Sequence, residues 1–421
     1  MNPRITAMIE NRQSRRGTVG PAALFGIACF AAFASILWLA RGATFFNDEW
    51  NVLETRSLSD PASWLTPHND HWHTGLVVIY RLIVESVGVA AYLPYLAVLL
   101  GFHLIVALAV FHSFRPSAPW WGLGAALLIL FLGSGADDLF WAYQMGFVAS
   151  TASGLWALLL LRRRERPADA AASLLLLASV ATSGIGLCFV AAAAAQVVLE
   201  RDERRRLAVV AVPVLGYLLW FVAYGRSVQA GVAEWFNPSS LLAAPGFALR
   251  GVANTVGGLS GLGDLVGAII VWLGVGWLIM MARHGWRIRP LLAGAAVGTV
   301  TEFMLAGLLR AGSTTLPEQS RYIYPAAALL LVGLSTLAPA AARIPRRAAI
   351  NGALAVAAAI ALVVNLGQLA DAAAKFREFG ARTRACQPTA PFIDGGETVE
   401  LAVLTCYVDG LSSPAPRAET D

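Results

Sequence analysis

Charge, lysine and cysteine are all scarce in this 421-residue chain, and each scarcity closes off a class. Charged residues make up 14% of it, against about 25% in a soluble globular protein. Hydrophobic residues reach 57% and the mean hydropathy is +0.63. That balance excludes a soluble enzyme and a disordered chain. Four cysteines are too few for a secreted scaffold built on disulfides. Of 31 basic residues, Lys375 is the only lysine; with the alanine and glycine load this points to a GC-rich bacterial genome. A net charge of +5 does not indicate nucleic acid, because the arginines sit in short clusters between apolar runs, as topology determinants do. The chain also shows no glycine-rich phosphate loop, no standard zinc spacing and no internal repeat.

What is present is a series of apolar runs of membrane-spanning length. The first, over 21–41, follows Arg4, Arg12, Arg15 and Arg16. The Arg41-Gly42 pair after it is a poor cleavage site for a signal peptide, so the run reads as a retained helix. Further spans are expected near 92–114, 119–134, 145–161, 169–183, 185–199, 207–224, 264–282, 290–309, 322–342 and 348–370. Arginine clusters at 162–166, 201–206, 283–289 and 343–347, with Arg115 alone, all face the cytoplasm if an even number of crossings separates each from the next. Eleven spans satisfy this, with the N-terminus cytoplasmic and the C-terminus outside. Residues 169–199, broken at Ser183-Gly184, read either as two short spans or as a re-entrant hairpin. Residues 75–90 are apolar, but Arg81 and Glu85 share a helical face there, so an amphipathic helix in the outer interface is expected instead. The expected organisation is a tail over 1–20, a transmembrane domain over 21–370 with a first outward loop over 42–91, and an external tail over 371–421. A bacterial inner membrane is the expected location.

Ionisable residues at or near membrane depth are costly to bury and therefore informative. The first outward loop opens with Phe45-Phe46-Asn47-Asp48-Glu49-Trp50. Its two adjacent carboxylates suit a general base acting on a hydroxyl, or hard-oxygen ligands for a divalent cation such as Mg or Mn; otherwise they are a solvated loop start. The loop continues as Pro67-His68-Asn69-Asp70-His71-Trp72-His73, which holds three of the six histidines of the chain. Asp70, His71 and His73 are read as substrate- or phosphate-binding groups. A second acidic pair, Asp137-Asp138, starts another outward loop and either holds a cation together with Asp48 or caps the following helix. Arg321 stands at the outer end of a span, against the charge bias, before Tyr322; a lipid phosphate would explain it, since guanidinium pairs bidentately with phosphate oxygens. Arg81 is a further candidate for that phosphate. Glu302 lies inside a span, while His103 and His112 read as packing residues. Cys386 and Cys406 flank a strand-like stretch at 397–404 in the tail and suit a disulfide in an oxidising compartment.

This arrangement resembles the GT-C superfamily of integral membrane glycosyltransferases, which includes protein O-mannosyltransferases, aminoarabinose transferases and actinobacterial arabinofuranosyltransferases. The residues that carry the resemblance are Asp48-Glu49 after the first span, the amphipathic segment 75–90 and the pair Asp137-Asp138. The resemblance implies an all-α polytopic fold: a GT-C-like bundle of about 11 helices with a long first extracytoplasmic loop and a small external C-terminal segment. It also implies an inverting transfer from a polyprenyl-phosphate sugar to an acceptor hydroxyl on the outer face, with no nucleotide. Asp48 matches the family's first-loop acidic residue, as base or metal ligand, with Glu49 beside it; Asp137 and Asp138 match a second acidic motif. The chain lacks the large external domains of the protein-modifying members, which favours a glycan or lipid acceptor. A polyprenol-linked glycan polymerase or ligase, or a transporter of a lipid-linked sugar, is the alternative. A transporter should show repeats and charges lining the membrane interior.

Overall fold

The computed structural model describes residues 19–68, 71–200, 204–228, 238–310, 316–338 and 347–386. All regular structure there is helical, apart from one isolated bridge between His68 and His71. Sixteen α-helices are numbered below in chain order.

Each apolar run forms a helix, since a backbone in lipid must satisfy its hydrogen bonds within its own segment. They are α1 (Pro21–Leu39), α5 (Leu93–Phe114), α6 (Pro119–Leu130), α8 (Met145–Leu161), α9 (Arg166–Thr182), α10 (Gly186–Leu199), α11 (Leu207–Ala223), α13 (Asp264–Arg283), α14 (Pro290–Arg310), α15 (Ser320–Leu334) and α16 (Arg347–Cys386). Proline stands in the first two positions of α1, α5, α6 and α9, where its missing N–H costs nothing. Among the described residues seven helices are long and apolar enough to cross a membrane; α6, α10 and α11 are apolar but shorter. Helix α13 buries only Gly267 and exposes Leu265 and Leu273, as a lipid-facing helix does. The protein is an integral membrane protein.

The first outward loop holds three short helices, α2 (Asp48–Thr55), α3 (Pro61–Leu65) and α4 (Thr74–Val87), and the second holds α7 (Asp137–Phe140). The amphipathic helix expected over 75–90 is α4. It buries Leu76, Val77, Tyr80 and Ile83 at helical spacing and leaves Leu82 and Val87 exposed.

Three expectations are corrected. Residues 225–263, left between the expected spans 207–224 and 264–282, contain α12 (Pro238–Ser260), which packs along α13 and α14. Arg250, Asn254 and Pro245 dilute its apolar pattern, which is why the sequence hides it. The span expected over 119–134 stops at Leu130, because Gly133–Gly135 form a tight turn against α16. The tail expected from 371 begins as a continuation of α16 to Cys386. The Cys386–Cys406 pairing and the strand at 397–404 lie outside the described residues.

The helices touch through small residues. Gly154 faces the Phe189 ring, and Gly298 lies against the backbone of Cys188 and the methyl of Ala192. Such contacts let helix backbones approach closely where no water drives association. The packing sorts the chain ends. His112 feels Arg115, Arg162 and Arg163 together, and Arg206 reaches the Leu161 carbonyl. The opposite end of the same helices carries Tyr92, Tyr143 and the first loop.

Candidate functional site

The site begins where α1 gives way to the first loop. Asn47 has φ +50 with ψ −121, a positive-φ conformation rare outside glycine. It turns the chain so that α2 starts with two carboxylates facing in different directions, about 100° apart on the helix.

Glu49 points inward and is fully buried. It accepts hydrogen bonds from the Tyr80 hydroxyl at 2.8 Å, the Tyr92 hydroxyl at 3.0 Å, the Phe46 N–H at 2.6 Å and the Tyr143 N–H at 3.1 Å. Burial pushes its pKa up to about 8 against the pull of those donors. Tyr80 and Tyr92 are themselves held well above the usual phenol range by burial and by Glu49, so both remain donors. Through Glu49 the first loop, α4 and the second loop share one hub.

Asp48 points outward. Its Oδ1 lies 3.4 Å from His68 Nε2, and both side chains are partly accessible, 23% and 13%. His68 is fixed by reciprocal backbone bonds with His71, at 3.2 and 3.0 Å. His71 stacks on His73 with ring centroids 5.6 Å apart, and a side chain at Gly184 would collide with it. His73 is buried. Its Nδ1 meets the Tyr143 hydroxyl at 3.1 Å, while its Nε2 has no hydrogen-bond partner. Burial, then His71, His68 and Arg56, lower its pKa well below the usual imidazole range, so it is neutral at physiological pH. Arg56, following α2, donates to the carbonyls of Ser63 (2.6 Å), Thr66 (2.9 Å) and Pro67 (3.2 Å). Trp220 on α11 stacks on Trp72 at 5.4 Å and donates to the Leu65 carbonyl at 2.8 Å, fastening the loop to the bundle.

The second acidic pair has other neighbours. The Asp137 N–H donates to the Ser320 hydroxyl at 2.9 Å. Its carboxyl pKa is raised by burial, with Arg321 and Lys375 opposing. Asp138 is fully buried with both oxygens unpartnered. Burial, then Asp137 and Glu302, raise its pKa well above the ordinary carboxylate value, with Arg321 opposing. Arg321 donates to the Gln319 side chain at 2.8 Å and lies 5.4 Å from the Tyr322 ring centre. A cavity of about 320 Å³ adjoins this pair, lined on the α16 side by Gln368, Asp371, Lys375 and Phe376.

The structure therefore groups the predicted residues into two centres. Asp48, His71 and His73 gather in the first loop, with Glu49 beneath them. Asp137, Asp138, Arg321 and Tyr322 gather beside α15. Arg81 stands apart on α4, with one guanidinium N–H on the Leu53 carbonyl at 3.2 Å. Asp70 lies outside the described residues. Among the described residues no group of three or more His, Cys, Asp or Glu is arranged to hold a metal ion, so Asp48 does not join Asp137 and Asp138 in one ligand set. His103 is a satisfied core residue, bonded to the Tyr324 hydroxyl at 2.8 Å. Sequence reasoning missed Arg56, Tyr80, Tyr92 and Tyr143. No local pattern marks them, because each acts across seven or more residues; only His68, inside the histidine-rich stretch, is signalled.

No family model and no curated protein matches the chain. Solved structures do. ArnT from Cupriavidus metallidurans in the apo state matches with a TM-score of 0.53 at 16% identity, over 91% of this chain and 85% of that one. The same protein bound to undecaprenyl phosphate matches with a TM-score of 0.51 at 14% identity, over 91% and 84%. At such identities the likeness establishes the fold. The all-α polytopic architecture expected from the sequence is the one found, and it is the fold of the ArnT structures.

Proposed function

We propose that this chain, which shares the ArnT fold, is a membrane glycosyltransferase that moves a sugar from a polyprenyl-phosphate donor to an acceptor hydroxyl of a glycan or lipid on the outer face, with inversion. The observation that carries the reading is the split of the first acidic pair on that fold: Glu49 is saturated and buried, whereas Asp48 is partly accessible, with His68 Nε2 3.4 Å from its Oδ1. The ArnT relative was solved with undecaprenyl phosphate bound, a lipid of the donor's class.

In this reading Asp48 accepts the proton of the acceptor hydroxyl as that oxygen attacks the anomeric carbon. The bond from that carbon to the phosphate oxygen breaks on the opposite face, and the polyprenyl phosphate leaves with the electron pair. A positioned base of this kind contributes about 10²–10⁴-fold. Arg81, on the interfacial helix α4, is the group we assign to the phosphate; Arg321 serves the acidic pair beside it. The cavity by α16 offers carboxylates, an amide and an aromatic ring, the chemistry that holds sugar hydroxyls, and we assign it to the acceptor.

The test is transfer in membranes from radiolabelled polyprenyl-phosphate sugars, with nucleotide sugars in parallel and the product's anomeric configuration read by NMR. The proposal expects label transferred only from the lipid-linked donor and an inverted product. A retained configuration, or transfer from the nucleotide sugar alone, would overturn it. Accumulation of unreacted donor across the membrane would favour the transporter.

A further inference from the structure

Asp48 can act as a base only if its carboxylate is held, and the helix that presents it also fixes the segment opposite. Helix α2 is eight residues long, with Asp48 as its first residue and Arg56 as the residue after its last. Arg56 is 8% exposed, and its guanidinium binds three successive stretches of the loop through the carbonyls of Ser63, Thr66 and Pro67. Pro67 immediately precedes His68. One short rigid rod, about 12 Å long at 1.5 Å per residue, therefore carries the carboxylate at one end and the anchor of His68 at the other.

The rest of the His68 environment removes its remaining freedom. Its backbone N–H and carbonyl are both bonded to His71. Its ring is flanked by His73 at 6.0 Å and Tyr143 at 5.8 Å between centroids. Its Nε2 is buried, has no hydrogen-bond partner, and faces Asp48 Oδ1 at 3.4 Å. A buried imidazole nitrogen without a partner is costly unless a group in the working site meets it. Among the described residues, the acceptor placed beside it is Asp48.

We infer that His68 is the positioning residue for Asp48. A small turn of the ring brings its Nε2–H onto Oδ1 across the present 3.4 Å, which fixes the carboxylate rotamer and leaves Oδ2 free for the acceptor hydroxyl. The inference rests on the reading of Asp48 as base, and it assigns the histidine-rich stretch a role in orienting that base, with Arg56 as the brace that sets the separation.

The test uses the full-length protein in lipid nanodiscs with a radiolabelled polyprenyl-phosphate sugar. His68→Ala is expected to lower kcat on the order of 10²-fold, the loss that a misplacement of about 1 Å produces, with KM for the donor unchanged. His68→Gln, which keeps an N–H able to reach the same oxygen, is expected to recover most of that loss and also controls for folding. His68→Ala combined with Asp48→Asn should be no slower than Asp48→Asn alone, since residues acting as one unit are not additive. A full additive loss, or a His68→Ala variant with wild-type kcat, would overturn the inference. A readout independent of turnover is the ring ¹⁵N resonances of His68, identified by their absence in His68→Gln. Asp48→Asn should shift them, and resonances that stay in place would overturn the pairing. Shifted resonances in a protein that turns over no polyprenyl donor would sustain the pairing and overturn the transferase reading, so the two failures are distinguishable.

Discussion

Two adjacent carboxylates in α2 have opposite fates because one helical step of about 100° separates them. Glu49 enters a cage of four donors, and burial still pushes its pKa to about 8 from an ordinary 4.5. Between those two values the folded chain holds a proton that the unfolded chain has released. Stability is therefore expected to fall as pH rises from 4.5 towards 8, by up to about 1.4 kcal/mol per pH unit, and to level off above 8. Thermal unfolding in detergent at stepped pH measures this. Glu49→Gln, which cannot ionise, should flatten the slope in that window while lowering stability overall, because its amide N–H faces existing donors. A slope of the same size in the variant would assign the effect to another group. His73, whose pKa burial lowers well below the ordinary imidazole value of about 6.5 that the unfolded chain keeps, contributes a slope of the opposite sign below that pH, and Glu49→Gln leaves that contribution in place.

At the scale of elements, the first loop behaves as a small unit clamped from three sides. Arg56 braces it from within, Glu49 ties it to α4 and the second loop, and Trp220 fastens it to α11. Trp220 is 4% exposed, and Trp220→Ala removes both the stack on Trp72 and the bond to Leu65. Losses of this kind cost about 3–5 kcal/mol in well-packed cores. The variant is expected to melt at lower temperature, and limited proteolysis should cut first within 56–73. Unchanged cleavage would show that α11 does not hold the loop. The elements themselves were legible where apolar period and length agree: α1, α5 and α14 lie where the runs put them, and α4 was recognised from Arg81 and Glu85 on one face. Helix α12 was not, because Pro245, Arg250 and Asn254 lower its hydropathy while its small residues pack it against α13 and α14. The site was legible only as motifs. Asp48, the histidines and Asp137-Asp138 stand out as residue types, but nothing local shows that Glu49 turns inward or that Arg321 faces the second acidic pair.

For the whole molecule, polarity along the bundle axis is the organising feature. At one end Arg206 is buried between Asp169, Glu200 and the Leu161 carbonyl, joining α8, α9 and α10 to the start of α11. Arg206→Ala strands Asp169 and leaves Glu200 with Arg164 at 3.7 Å, and is expected to cost about 3–5 kcal/mol; a variant as stable as wild type in a detergent melt would refute that. At the other end lie the loops, both acidic pairs and the cavity beside α16, whose extension packs Phe379 on Phe46 at 4.7 Å. The chemistry assigned to that end rests on Asp48. The direct measurement is the initial rate of transfer from a radiolabelled polyprenyl-phosphate sugar by wild type and by Asp48→Asn at matched membrane levels. The account predicts a loss of about 10²–10⁴-fold with donor binding retained. Transfer by Asp48→Asn at the wild-type rate would contradict it.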